Sequence, residues 1–314
     1  MRIAAVIVTY NRLQKLKHTL ACTLAEPLDR VIVIDNASTD TTPDWLHSVA
    51  DPRLTVIRLP VNAGGAGGFA RGFEVAASDH SMDWLVCFDD DAWPQAGAIS
   101  AFRDTALAPD VAGAAAAVYL PTDAISEMNR PSLNPFASWQ QMLLTLSKGR
   151  MGFHVDDVAY KEQGVVPIDY SSFVGCFLRT AAVRSHLALP RSELFIYADD
   201  ILYTFGIRQA GFQHVFVPAV HFTHDCGTLV NQQDVYKPLW RAFYSYRNRL
   251  ELFRTLSGHW FPLVVMLKLP GWVAKMRHYE RPGLFLKVLA RAVCDGLKRD
   301  FTRSHADIQA LSKE

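Results

Sequence analysis

Through the first 120 residues, continuous apolar runs rich in β-branched residues alternate with amphipathic stretches. Ile3–Val8 reads as a strand buried on both faces, and Leu13–Leu24 follows with helical spacing and basic residues outside. Arg30–Ile34 is a second buried-type strand. The next helix opens near Thr41-Thr42-Pro43-Asp44, with polar capping residues and a proline in its first turn. The alternation continues with a strand at Leu54–Leu59, a helix at Gly65–Ser78, a strand at Trp84–Phe88, a helix at Gln95–Leu107 and a strand at Val111–Tyr119. Strands bare of polar positions, alternating with helices, predict a Rossmann-like, mostly parallel sheet covered on both faces, an α/β class.

The pattern lapses between Pro121 and Val166, where Pro, Ser and Asn predict a loop-rich insertion with one helix around Trp139–Leu146. It resumes with a strand at Tyr170–Leu178, helices at Thr180–Leu187 and Asp199–Ala210, and a strand at Phe212–Val217. Beyond Lys237 the spacing is helical, with breaks expected at Gly258, Pro262, Pro270 and Pro282-Gly283. Two regions follow: an α/β domain over 1–236 and a C-terminal helical region over 237–314.

Charge sharpens that division. The 314 residues carry a net charge of +1, which argues against nucleic acid as the main partner. Residues 1–236 hold 17 Lys+Arg against 25 Asp+Glu, or −8, whereas residues 237–304 hold 14 against 4, or +10. Aromatic residues such as Trp240, Tyr244, Trp260, Trp272 and Phe285 lie among those basic ones. That combination suits an anionic membrane surface, with an ordinary packed helical subdomain as the competing reading. No run reaches the length of a spanning helix, because Trp260–Ala274 is interrupted by Pro262, Lys268 and Pro270. The chain is therefore expected in the cytoplasm, peripheral on the cytoplasmic face of the inner membrane. No secretory signal is expected at its start. Five scattered cysteines without a C-x-x-C point to a reducing compartment rather than to a disulfide framework or a zinc site.

Candidate chemistry starts after the fourth strand, which ends in Asp89-Asp90-Asp91. In open α/β sheets ligands bind beyond the carboxyl ends of strands. Three adjacent carboxylates leaving an apolar strand repel one another, and a hard divalent cation relieves that repulsion. In an extended chain Asp89 and Asp91 share one side and can share the cation, while Asp90 points elsewhere. A metal–diphosphate site is the favoured reading, with a solvated acidic turn as the alternative. Asn62–Gly72 is glycine-rich, and Gly65-x-Gly67-x-x-Ala70 meets a relaxed dinucleotide fingerprint. That keeps an NAD-dependent oxidoreductase open as a different class. The third strand is the wrong place for the fingerprint, and close helix–sheet packing explains the glycines as well. Asp199-Asp200 opens a helix, where the dipole favours an ionised carboxylate.

These motifs together resemble family-2 inverting glycosyltransferases of the GT-A fold. Val8-Thr9-Tyr10-Asn11-Arg12, Val33 to Asp40, and the D-x-D motif at Phe88-Asp89-Asp90-Asp91 carry the likeness. Within that family the chain is most similar to bacterial galactofuranosyltransferases, through Asn62–Gly72, Leu194–Asp200, His224-Asp225-Cys226-Gly227 and Phe243–Arg249. The resemblance implies a metal-dependent transfer of galactofuranose from UDP-galactofuranose to a hydroxyl of a lipid-linked cell-envelope glycan, with Mn²⁺ or Mg²⁺. It implies donor contacts at Thr9, Asn11, Asp35, Asn62, Asp89 and Asp90, metal ligands at Asp89, Asp91 and His224, and a catalytic base at Asp200. Asp199, Trp93, Phe173 and Tyr197 are candidates for substrate contact, with core packing as the competing role of the aromatics. His221 is assigned to packing. Relatives carry a second acid two residues after the base, where this chain has Leu202, which leaves the acceptor open. A rhamnosyltransferase using dTDP-rhamnose is the nearest alternative, and a non-enzymatic membrane scaffold a more distant one.

Overall fold

The computed structural model describes residues 1–162, 164–226 and 235–313; Gly227 of the late histidine motif lies outside them. Ile3–Thr9 forms β1, with all seven residues buried. A strand covered on both faces must lie inside a sheet. β1 pairs in parallel with β2 (Arg30–Asp35), and β2 with β3 (Leu54–Arg58). On its other side β1 pairs in parallel with β4 (Trp84–Asp89). The connections are α1 (Leu13–Ala25), α2 (Thr42–Ser48) and α3 (Gly64–Ser78). Alternation along β1 divides the interior into two layers. Ile3, Ala5 and Ile7 pack with Leu16 and Leu20 of α1, whereas Ala4, Val6 and Val8 pack with Phe69 and Phe73 of α3. α3 approaches that closely because of its glycines. A Cβ on Gly68 would lie 2.4 Å from Val8 Cγ1, and one on Gly72 2.2 Å from Val6 Cγ1.

Further along come β5 (Ala92–Pro94), α4 (Ala98–Asp104), β6 (Val111–Tyr119) and α5 (Trp139–Lys148). They are followed by β7 (Val166–Ile168), β8 (Cys176–Arg179), α6 (Thr180–Ser185), α7 (Asp199–Gln209) and β9 (Gln213–His224). Among the described residues the sheet has nine strands in the order β3-β2-β1-β4-β8-β6-β9-β5, with β7 also on β9. Six strands run one way, and β5, β7 and β8 oppose them. The sheet is mostly parallel, as the pattern predicts, and several boundaries differ from that pattern. The helix expected over Gln95–Leu107 starts only at Ala98, after Gly97 at φ 84°, because Ala92–Pro94 is an edge strand. The strand expected over Tyr170–Leu178 shrinks to β8, since the chain turns at Gly175 with φ +68°. β9 runs on to His224 instead of ending near Val217. Its Pro218 falls in the register shift between Val217 and His221, where a missing N–H costs no ladder bond.

The C-terminal region consists of α8 (Trp240–Ser257), α9 (Phe261–Ala274), α10 (Pro282–Lys298) and α11 (His305–Leu311). The break expected at Pro270 does not occur; that proline lies inside α9, and Pro262 sits in its first turn. Phe243, Tyr246 and Leu250 of α8 pack with Phe285, Val288 and Leu289 of α10 in a separate apolar cluster.

Candidate functional site

After β3 the chain crosses to the other side of β1 and forms β4, so β1/β4 is the point where the strand order reverses. The crevice beyond such a switch point is where an open α/β sheet holds its ligand. Thr9, Asp35 and Asp89 end β1, β2 and β4, and pairing sets Thr9 opposite Asp35 and Val8 opposite Asp89. The Thr9 hydroxyl donates to Asp90 Oδ2 at 2.8 Å, and Arg12 donates to Asp90 at 2.9 Å and to Asp91 at 2.7 Å. Arg12 thus bridges the carboxylates of Asp90 and Asp91, and Asp90 is occupied by Thr9 and Arg12. Burial lifts its carboxyl to about 6, against the pull of Arg12 and Thr9. Asn11, at φ 54°, accepts from the backbone N–H of Thr39 at 2.7 Å and joins the β1 and β2 loops. Asp35 Oδ1 accepts from Ser38 N–H at 2.9 Å, and its buried Oδ2 has no hydrogen-bond partner. Asn62 Oδ1 accepts from Gly64 N–H at 2.8 Å and from Asn36 at 3.1 Å. Thr9, Asn11, Asp35 and Asn62 therefore mark one end of the crevice.

The acid cluster lies at the other end. β5 pairs antiparallel with β9 and puts Ala92 opposite His224, while Asp225 N–H donates to Asp91 O at 2.9 Å. This short strand carries Asp91 to the tip of β9. Asp89, Asp91 and His224 offer ligand atoms within 4.8 Å of one another. His224 Nδ1 lies 2.8 Å from Asn129 Oδ1, and Nε2 lies 3.3 Å from Asp91 Oδ1. The Asn129 amide donates to Ser172 Oγ at 2.9 Å, so its oxygen accepts from Nδ1–H. That tautomer aims the Nε2 lone pair at a carboxylate, which requires either a second proton or a cation between them. Burial first, then Asp91, raises the Asp89 carboxyl to about 7. Burial also pushes Asp91 upward, but His224 and Arg12 together outweigh it and hold that carboxyl below its usual value. Two carboxylates and an imidazole, with Arg12 paired to Asp91 at their edge, form a donor set suited to Mn²⁺ or Mg²⁺. His221, by contrast, packs edge-on against Tyr119 with ring centroids 5.3 Å apart.

A cavity of about 560 Å³ opens beside this cluster, lined by Asp89, His224, Phe173, Tyr197, Asp199 and Asp200 among others. Asp199 and Asp200 begin α7. Three residues before or at that start take φ values that side chains disfavour: Phe195 at 66°, Tyr197 at 69° and Ala198 at 65°. The α8 residue Asn248 fixes this strained stretch, offering its amide to the carbonyls of Leu194, Ile196 and Tyr197 at 2.7–3.0 Å. Arg247 beside it donates to the carbonyls of Glu193 and Leu194. Burial raises Asp200 to about 6, opposed by the Ile201 N–H that its Oδ1 accepts at 2.8 Å. Burial and Asp200 push Asp199 well higher. Burial holds both carboxyls above their ordinary range, Asp199 further than Asp200, so of the two Asp200 is the readier to ionise.

The structure brings Asp89, Asp91, His224, Asp199, Asp200, Phe173 and Tyr197 together. It leaves Trp93 on β5, edge-on to His18 with ring centroids 4.3 Å apart. Phe173 also belongs to the core, 4.9 Å from Phe69. Sequence reasoning misses Asn129, Ser172, Tyr236, Arg241 and Arg249 of the cavity wall. Arg241 and Arg249 have no carboxylate partner among the described residues, and Arg241 Nε is buried without a hydrogen bond. Of the two fingerprint glycines, Gly65 lines the cavity and Gly67 packs against Ala63, where a Cβ would lie 2.5 Å from the alanine Cβ; the neighbouring Gly68 and Gly72 press on β1.

The model of the glycosyl transferase family 2 matches residues 4–162. Galactofuranosyltransferase GlfT1 of Mycolicibacterium smegmatis is 24% identical over 267 residues, covering 79% of this chain and 81% of that protein. GalNAc-T7, solved with UDP, GalNAc and Mn²⁺, superposes with a TM-score of 0.54 at 13% identity; the match covers 86% of this chain and 57% of that one. Mannosyltransferase PcManGT of Pyrobaculum calidifontis, solved with GDP-Man and Mn²⁺, gives 0.51 at 15% identity, covering 99% and 78%. The arrangement of sheet and helices is the GT-A fold.

Proposed function

The chain belongs to glycosyl transferase family 2 and is a glycosyltransferase, and from that premise we propose an inverting transfer of galactofuranose from UDP-galactofuranose. The acceptor in this reading is a hydroxyl of a lipid-linked glycan at an anionic membrane surface. Residues 1–236 supply the donor and metal residues, and residues 237–314 complete the cavity and meet the membrane. One observation carries the reading: Asp89 and His224 of the Asp89–Asp91–His224 cluster line the same cavity as Asp200. The oxidoreductase reading, prompted by Gly65 and Gly67, gives way to family membership, and Gly68 and Gly72 of the same glycine-rich segment serve helix packing.

In the proposed mechanism Thr9, Asn11, Asp35, Asn62 and Asp90 form or brace the nucleotide end of the crevice. Asp89, Asp91 and His224 would hold Mn²⁺ or Mg²⁺, which supplies charge neutralisation to the departing diphosphate. Asp200 takes the proton of the acceptor hydroxyl as that oxygen attacks the anomeric carbon, and the bond to UDP breaks on the opposite face. Asp199 hydrogen-bonds a sugar hydroxyl, and Phe173 and Tyr197 give the ring an apolar wall. Arg241 and Arg249 present two cations to phosphate oxygens. Asn248 is a positioning residue that holds the turn before Asp200. Transfer assayed over a panel of UDP-sugars and dTDP-rhamnose, with Mn²⁺, Mg²⁺ or EDTA, tests the proposal. Turnover with UDP-galactofuranose alone supports it; turnover with dTDP-rhamnose alone, or activity undiminished by EDTA, overturns it.

A further inference from the structure

Two surface helices, far apart in sequence, expose apolar side chains where a water-facing helix carries charge. In α9 the outward face consists of Pro262, Leu263, Met266, Leu267, Pro270 and Val273, and the charged residue of the helix is Lys268. Leu263 is 41% exposed, Met266 63% and Leu267 66%, so the face is bare. α5 has no buried residue, and its Trp139, Leu143 and Leu146 repeat at the spacing of one helix face, each exposed. Their starts lie close together: the ring of Trp139, which opens α5, is 6.4 Å from that of Trp260, the residue before α9, and Asn134, ahead of α5, donates to Leu256 O near the end of α8 at 3.1 Å.

We infer that α5 and α9 together form a platform that lies in the headgroup region of an anionic bilayer. This rests on the proposed lipid-linked acceptor and names the surface that meets the lipid. Charge selects lipid over a protein partner. Residues 133–155 contain no Asp or Glu, and neither do residues 252–279, while Lys148, Arg150, Lys268, Lys275 and Arg277 lie within them. An apolar face edged by cations alone matches a surface of acyl chains beneath anionic headgroups. Length decides between lying on the bilayer and crossing it. α9 has 14 residues, about 21 Å of helix, against a hydrocarbon core of about 30 Å. No described helix is long and apolar enough to cross.

Flotation of the full chain with vesicles of phosphatidylglycerol, and separately of phosphatidylcholine, tests the inference. The wild-type chain floats with the anionic vesicles, less with the zwitterionic ones, and less at high salt. Met266→Glu/Leu267→Glu lowers the partition constant on the order of a hundredfold, and Trp139→Ser/Leu143→Glu lowers it as well, both with unchanged melting and UDP binding. No flotation of the wild-type chain overturns the inference. Retention by the α5 variant equal to wild type removes α5 from the platform. A dimer in solution that Met266→Glu/Leu267→Glu dissociates assigns the face to a second copy instead. UDP-galactofuranose hydrolysis by the same variants separates the outcomes: its absence in every protein counts against the transferase reading, and its persistence without flotation counts against the platform alone.

Discussion

Asp200→Asn is expected to abolish transfer and yet stabilise the protein at neutral pH. Burial raises the Asp200 carboxyl from an ordinary value of 3.8 to about 6. The folded state thus favours the protonated form. Its contribution is whole below pH 4, is lost as pH rises from 4 to 6, and above that the fold carries an ionised carboxylate in a poorly solvated place. Two units correspond to about 3 kcal/mol, an upper figure because the pair with Asp199 shares the shift. Asparagine keeps an oxygen for the Ile201 N–H, which Asp200 Oδ1 now accepts at 2.8 Å, and removes the charge. Melting of both proteins by calorimetry or circular dichroism, at pH 7.5 and at pH 4, should give the variant a higher Tm by a few degrees at pH 7.5 and no advantage at pH 4. Transfer should fall about 10²- to 10⁴-fold with donor binding kept. An equal or lower Tm at pH 7.5 would refute the burial argument, and retained transfer would refute the base assignment.

If Asp200 must be ionised to act, kcat/KM should climb with pH through a half-maximal point near 6 and then level off, read from initial rates across pH 5–8. Asn129→Leu removes the acceptor that orients His224 and should weaken Mn²⁺ binding about 10- to 100-fold by titration calorimetry. Arg241→Met should raise the Kd for UDP or the KM for a phosphate-bearing acceptor about tenfold or more, according to which phosphate it contacts. Asn248→Ala leaves three carbonyls of the 194–197 stretch without their donor. It should lower kcat with little change in donor KM, whereas a merely structural role would cost stability alone.

The sequence pattern served best where one strand alone decides the outcome. β1, β2, β4 and β6 are apolar between their ends, and each appears within one residue of its expected end. The acids at the end of β4 were legible for the same reason. What the pattern misses depends on partners distant along the chain. β5 is three residues long and exists through its pairing with β9, yet it carries Asp91 to His224. Asn129 belongs to the loop-rich insertion and meets His224 across 95 residues. Arg241 and Arg249 fall within the basic segment that charge assigns to docking, and they nevertheless line the cavity. The division of charge near residue 236 marks a change in composition, not the edge of the site.

α8 touches both the cavity and the platform. Leu252 lines the cavity near the end of α8, and α9 begins at Phe261 after the turn at Gly258, φ 52°. If α9 lies in the headgroups as inferred, the joint between α8 and α9 sets how high above the leaflet a hydroxyl must stand to meet Asp200. Were the acceptor a glycan anchored by its lipid phosphate, as proposed, it would reach that height only over a limited range of lengths. Shorter chains fall beneath the opening, and a chain just extended overshoots it. The enzyme would then count, adding its sugar at one stage of assembly and leaving further growth to a protein whose opening stands higher.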